Sequence, residues 1–507
     1  MKRQHIVIVI LFAGAALLRL ADVFRPINQA SWRESDLGAV SRNFYNEGMD
    51  ILYPRIDWRG DGPGYAEMEL PIFPWLTGAA YAIFGVHDQF GRMWSFLFSL
   101  GALWFFFRLA REYLSIFAST IAFAFFALNP LIVETATSIQ PEGLMLCTYI
   151  AAVFFFVKWF KTDSTFHYWL TILATALTLL AKAPSAHIGL FFGVLLLDKY
   201  GWRTIAIVRV WIFGILAVIP SALWYAHAKN LWITYGNSLG VSNEYHWVGW
   251  DFFTDAEFIG GIFRSEFVYV WVVFGTVVGA FAIWRGHREQ AARHSLLWLA
   301  SIFAFYVLAA RTTSEEWASY YHVFSIPPVA LIFGLAIARL WDYMKDFADR
   351  YSSRSLTASL SRVGICLIII GCVIASLAIE AKQVRANFLS RHQDDPSMLV
   401  AHDAKHLLSK DGLIIVSGGH CIDKNGYELA YNASFMFYWL DRKGWNTCIE
   451  KQPMQIREFK AKGAVYLVAQ KNYIAGSPGL AASLRATYPI LMESTDFIFF
   501  DLGEPAK

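Results

Sequence analysis

Charge is what this chain has least of. Asp, Glu, Lys and Arg together make up 16% of its 507 residues, against about 25% in soluble domains. With 56% of residues in the apolar set and a mean hydropathy of +0.40, this excludes a disordered chain, a nucleic-acid-binding tail protein and an ordinary soluble enzyme. Cysteine is scarce too. Five in the whole chain are too few for a disulfide framework. Cys147, Cys366 and Cys372 lie in apolar runs and read as packing residues. Cys421 and Cys448 lie in the polar C-terminal segment, where a pair and two free thiols fit the sequence equally well. Internal repeats and low-complexity tracts are lacking, and the first absence counts against a secondary transporter, whose folds usually carry repeated halves.

What is abundant is aromatic residues, 17% of the chain, and apolar runs long enough for a bilayer core, which takes about 20 residues per helix. Eleven spans are expected, near 5–21, 92–107, 114–131, 143–160, 167–181, 184–198, 205–225, 267–284, 295–310, 322–339 and 362–380. A further apolar stretch, Leu70 to Gly85, holds Pro71, Pro74 and Gly78 and reads as an interfacial or re-entrant helix. The distribution of cations supports this count. With eleven spans and the N-terminus inside, Lys2, Arg3, Arg108, Arg111, Lys158, Lys161, Lys199, Arg203, Arg285, Arg288, Arg293, Lys345, Arg350 and Arg354 share one face. Met1-Lys2-Arg3 before an apolar core resembles a signal peptide, but no small-x-small site follows, so the first run is read as a retained span.

After residue 383 the pattern changes. A helix near 397–409, strand-like Leu413–Val416 and Val465–Val468, a helix near 479–486 and the alternating Phe497–Leu502 spell a small α/β domain. The expected fold class is therefore an α-helical polytopic membrane protein with a small C-terminal α/β domain outside. Its divisions are a membrane domain over 1–382, in which 22–91 form a first outer loop with interfacial helices, and an outer domain over 383–507.

The first outer loop is the richest in chemistry. Residues 22–70 carry nine of the chain's 40 acids, five arginines and the rings of Trp32, Tyr45, Tyr53, Trp58 and Tyr65. Long ordered loops of this kind are often functional. Glu34 and Asp36, in Ser31-Trp32-Arg33-Glu34-Ser35-Asp36, come soon after the membrane exit. There Ser35 or Asp36 either caps a helix over Leu37–Asn46 or serves chemistry at the membrane surface. At the second outer loop, Glu142 in Gln140-Pro141-Glu142 begins a span; the helix dipole explains a carboxylate there, and so does a site at the membrane edge. Lys182 is a cation on the acidic face, suited either to a lipid phosphate or to snorkelling. Arg264 and Arg311 are of the same type. Tyr320, Tyr321 and His322 open the tenth span, as an aromatic belt or as part of a site.

Together these elements resemble the GT-C membrane glycosyltransferases, specifically the bacterial relatives of the protein O-mannosyltransferases and the lipid A aminoarabinose transferases. The likeness rests on Trp32–Asp36, on Glu69-Leu70-Pro71, and on Phe84-Gly85. It continues with Gln140-Pro141-Glu142, where relatives often have Arg-Pro-Asp, and Leu180–Pro184, where they have Lys-Gly-Pro. His322–Leu331 and Tyr438–Trp445 complete it. The resemblance implies a sugar donor carried on a polyprenyl phosphate, inverting transfer to a hydroxyl outside the bacterial inner membrane, a cytoplasmic N-terminus and an outside C-terminal domain. It implies a general base at Asp36 with Glu34 beside it. Lys182 matches a phosphate-binding position; Arg264 joins it by place alone. Glu69, Glu142, Tyr320, Tyr321 and His322 are expected to bind sugar or acceptor, which is a glycan, a lipid or a protein. No nucleic-acid partner, no cofactor beyond the lipid-linked donor and no metal-ligand set is inferred, since the first two outer loops hold no Asp-x-Asp. Leu70 stands where the aminoarabinose transferases carry a lysine, which counts against that specific activity. A transporter or flippase, and a membrane assembly or receptor protein, are the alternative readings.

Overall fold

The structure is a computed structural model that describes residues 2–240, 252, 254–308, 311–350, 356–422, 426 and 431–503. Arg354 and residues 309–310, at the end of the ninth expected span, lie outside the described residues. In chain order the helices begin with α1 (Lys2–Leu20), α2 (Trp32–Glu47), α3 (Ile72–Phe84), α4 (Gln89–Ala110), α5 (Ile116–Leu128), α6 (Pro130–Thr135), α7 (Glu142–Thr162), α8 (Thr165–Ala181), α9 (Ile188–Tyr200) and α10 (Val208–Tyr235). After them come α11 (Ala256–Ser265), α12 (Gly275–Gly286), α13 (Gln290–Leu308), α14 (Ile326–Arg350) and α15 (Leu356–Arg391). The C-terminal part interleaves α16 (Pro396–Ala404), β1 (Leu413–Ser417), α17 (Ser434–Leu440), β2 (Gly444–Thr447), α18 (Gln452–Ala461), β3 (Ala464–Gln470), α19 (Lys471–Ala475), α20 (Leu480–Thr487), β4 (Ile490–Glu493) and β5 (Phe497–Asp501).

Each of the eleven expected stretches carries a helix. Among the described residues, five helical stretches are long and apolar enough to cross a membrane: Gln89–Ala110, Glu142–Thr162, Val208–Tyr235, Ile326–Lys345 and Arg362–Leu407. The stretch expected as one span over 267–284 is broken instead. A π-helical turn, Glu266–Val270, runs into Val272 and Val273, both at positive φ, and the two helical pieces meet at 91°. Positive φ is costly for a β-branched residue and ends regular helix there. α3, with Pro71 as its N-cap and 13 residues long, is short for a span.

The chain forms two compact units: Met1–Val23, Ser95–Ala222 and His246–Phe388 in one, Phe24–Trp94, Leu223–Tyr245 and Leu389–Lys507 in the other. The membrane unit is held by close helix approach. A Cβ on Gly334 of α14 would meet Leu114, Ala122 and the Ala118 carbonyl of the α5 region at 2.7–2.9 Å, so small residues let these helices touch. Beside that contact, the rings of Phe125 and Phe333 stack at 4.2 Å.

The second unit, expected on the outer side and hence termed the outer unit, joins the loop after α1 to the C-terminal α/β domain. Its sheet has the order β2-β1-β3-β5-β4, parallel across β2, β1 and β3 and antiparallel across β3, β5 and β4. One face packs on α16 and α17 through Ile414, Val416, Val468, Phe437 and Leu440; the other covers Ile415, Leu467 and Phe500 with α18 and α20. β1, β3 and β5 are the strands expected from the sequence. The first loop docks on α17 and β2: the Ser434 hydroxyl donates to the Trp32 carbonyl at 2.8 Å, the Trp439 indole to the Ile27 carbonyl at 2.6 Å, and Gly60 N–H to the Gly444 carbonyl at 2.6 Å.

Cys421 and Cys448 form a disulfide, Cα to Cα 5.5 Å, leaving Cys147, Cys366 and Cys372 as thiols. Thiol titration of the denatured protein should count three groups before reduction and five after; five from the start would contradict the pairing. Gly444 carries a second test. A Cβ there would lie 1.8 Å from the Ile414 carbonyl oxygen, so Gly444→Ala should part β2 from β1 and destabilise the outer unit by more than about 2 kcal/mol, read as a lower melting midpoint in detergent.

Candidate functional site

Asp36 is not a helix cap. α2 starts at Trp32, five residues ahead of the expected Leu37, because Ser31 caps it: the Ser31 hydroxyl accepts the Glu34 N–H at 3.3 Å. Ser-x-x-Glu is the sequence signature of such a start, and it places Asp36 inside the helix, 1% exposed. Oδ1 accepts the Trp58 indole N–H at 2.8 Å, while Oδ2 is buried with no hydrogen-bond partner. Loss of water pushes the Asp36 carboxyl up to about 7; the Trp58 bond and the Arg33 guanidinium pull it down, and the Asp57 carboxylate raises it. A carboxyl poised near neutrality with one unbonded oxygen can accept a proton from a group brought against it.

The neighbouring acids are all engaged. Glu34 takes both terminal nitrogens of the fully buried Arg92, at 3.0 and 3.2 Å. Arg92 also donates to the carbonyls of Arg25 and Pro26. Glu69 pairs with Arg33. Asp57 accepts from Arg42 at 2.6 Å and from Asn43 at 2.8 Å, and Arg42 continues to Asp441 at 2.9 Å. The Tyr438 hydroxyl donates to Asp88. Of these, Arg92, Asp88 and Tyr438 escape a reading for site residues from sequence. Arg92 had a signal, being a cation at the very start of an apolar run; Asp88 had none.

In the membrane unit, residues far apart in sequence converge. Glu142 is the first residue of α7, behind Pro141, and Lys182 follows the last turn of α8. The two form an ion pair, both almost fully buried. The Lys182 ammonium lies 4.4 Å from the Tyr320 ring centroid and 4.7 Å from that of Tyr321. Four expected residues thus share one place. The ammonium is thus held by a carboxylate and two ring faces in a dry setting, and an anion could reach it only in place of the carboxylate. His322 is turned to other partners, its Nδ1 2.8 Å from Glu266 Oε1 and its Nε2 2.8 Å from the Thr313 carbonyl. Arg264, in the last turn of α11, is exposed and makes no ion pair among the described residues. The one metal-capable group among the described residues, Cys421, Cys448 and Glu450, has both sulfurs in the disulfide, which leaves no thiolate to ligate.

Residues 63–225 match the family model described as dolichyl-phosphate-mannose-protein mannosyltransferase. No curated protein sequence matches the chain. Among solved structures, the chain is similar to ArnT from Cupriavidus metallidurans bound to undecaprenyl phosphate, with TM-score 0.62, 15% identity and 97% of each chain covered. It is similar to the Archaeoglobus fulgidus oligosaccharyltransferase, with TM-score 0.54, 12% identity, and 98% of this chain and 74% of that one covered. It is also similar to the arabinofuranosyltransferase AftD from Mycobacteria, with TM-score 0.58 and 13% identity over 98% of this chain and 40% of that one. The resemblance read from the motifs is borne out: the chain has the fold of the GT-C membrane glycosyltransferases.

Proposed function

We propose that the protein transfers a sugar from a polyprenyl-phosphate donor to an acceptor hydroxyl at the outer face of a bacterial inner membrane. The N-terminus is cytoplasmic and the C-terminal domain outside. The observation that carries this reading is Asp36: a buried carboxyl near neutrality, one oxygen fixed by an indole and the other without a hydrogen bond. The shared fold supports it, and so does a relative of that fold captured with undecaprenyl phosphate.

In the reaction, Asp36 Oδ2 takes the acceptor's O–H proton as that oxygen attacks the anomeric carbon. The bond from that carbon to the phosphate oxygen breaks with its electron pair, releasing polyprenyl phosphate, and a single displacement inverts the centre. Lys182 stabilises the departing phosphate, with Glu142 as its resting counter-ion, and Arg264 adds an exposed cation. Tyr320 and Tyr321 offer ring faces to a sugar, His322, bonded to Glu266 and Thr313, is assigned to the same group, and Glu69 offers a hydrogen-bond acceptor held by Arg33. Glu34, clamped by Arg92, is assigned a positioning role.

Asp36→Asn should lower consumption of polyprenyl-phosphate sugars at least a hundredfold while the melting profile shows a folded chain; full turnover in that variant overturns the base. Because the base must be ionised, kcat/KM should climb about tenfold per pH unit below about pH 7 and level off above it. The fold favours neutral Asp36, whose folded pKa lies above the unfolded value of about 4. Stability from this residue is therefore complete below about pH 4 and lost as pH rises through about 7; Asp36→Asn should flatten that slope.

Lys182→Gln should raise the KM for donor more than tenfold and lower stability, since it leaves Glu142 buried without its cation. Adding Glu142→Gln should restore stability but not donor use. Recovery of both would remove the phosphate role.

A further inference from the structure

The Trp58 indole has no role of its own in that reaction, yet its bond sets how Asp36 stands. Its N–H donates to Oδ1 at 2.8 Å and leaves Oδ2 as the unbonded oxygen. Indole nitrogen is a donor only, and its direction is set by the ring plane, so this bond fixes the rotation of the carboxylate as well as favouring its charge. The ring is not held by the first loop alone. It packs on the apolar cluster of the C-terminal domain that contains Ala433, Phe437 and Leu440. Two residues on, Gly60 sits at φ +65, its N–H on the Gly444 carbonyl, where a Cβ would lie 2.4 Å from the Trp445 indole nitrogen. Ser434 of the same domain, bonded to the Trp32 carbonyl, stands beside Asp36 as well.

We propose that Trp58 is a positioning residue for Asp36, and that the C-terminal domain, by gripping the Trp58 ring, belongs to the catalytic apparatus rather than being an appendage for partners. This rests on the reading of Asp36 as the base. The charged groups acting on Asp36 are Arg33 and Asp57, with opposite signs, and the test leaves both in place.

The test needs no knowledge of the sugar. N,N′-Dicyclohexylcarbodiimide modifies carboxyl groups in their protonated form, and peptide mass spectrometry of the full-length protein in detergent reads the modification at residue 36 against pH. In the native chain, labelling should fall with a midpoint near 7. Trp58→Phe keeps a ring in the space but removes the donor. It should move the midpoint up by about one unit, a tenfold change in the ratio of ionised to neutral carboxyl, and lower kcat at pH 7 with little change in KM. An unchanged midpoint in a normally folded Trp58→Phe overturns the positioning role. Gly444→Ala, which disturbs the strand beside Gly60, should also raise the midpoint; no change there overturns the part given to the domain. If Asp36 takes no label at any pH, the carboxyl is sealed from the acceptor side, and it is the assignment of the base itself that falls.

Discussion

A guanidinium sealed from water must find its acceptors within the protein, and the outer unit is arranged around one that does. Arg92 is fully buried and reaches both oxygens of Glu34 and the carbonyls of Arg25 and Pro26. Removing one side of such a pair leaves an unpaired buried charge, a loss of about 3–5 kcal/mol. The clamp joins the chain leaving α1, the first turn of α2 and the start of α4. Once α2 is placed, Asp36 faces Trp58, and Arg42 and Asn43 meet Asp57. The polar contacts of the first loop are thus consequences of where one helix begins.

The membrane unit obeys the same rule with a different outcome. Lys182 and Glu142 neutralise each other in a dry place faced by two tyrosine rings. Arg92 is gripped by two carbonyls besides its carboxylate, and nothing small can displace that set. Lys182 is a compact ammonium on a flexible stem, so its partner is exchangeable for a better anion. The two buried cations differ in how many protein acceptors each has.

Asp36 and Lys182 were singled out through the family resemblance, whereas the long apolar helices and three of the five strands were legible because periodicity and the scarcity of charge mark them. β2 was not. Gly-Trp-Asn-Thr is four residues long and holds two types disfavoured in strands. β4 is an edge strand with no alternation of burial. The break after Val270 lies inside an unbroken apolar run, where nothing in composition separates helix from turn. Above all, the joining of the first loop to the C-terminal domain leaves no local trace: Ser434 and Trp32 are 402 residues apart, and pairing at that distance is set by shape. Trp58 could be noticed as an aromatic residue in an acidic loop, but its bond to Asp36 could not.

That separation has a consequence for how the protein comes into being. Chains are made from the N-terminus onward, so α2 is made long before α17 and β2 exist. Through most of synthesis, Ile27, Trp32 and Gly60 wait for the partners that Trp439, Ser434 and Gly444 later bring. The outer unit therefore closes only when the last stretch of polypeptide arrives, and a chain cut short within its membrane part displays the first loop without its cover.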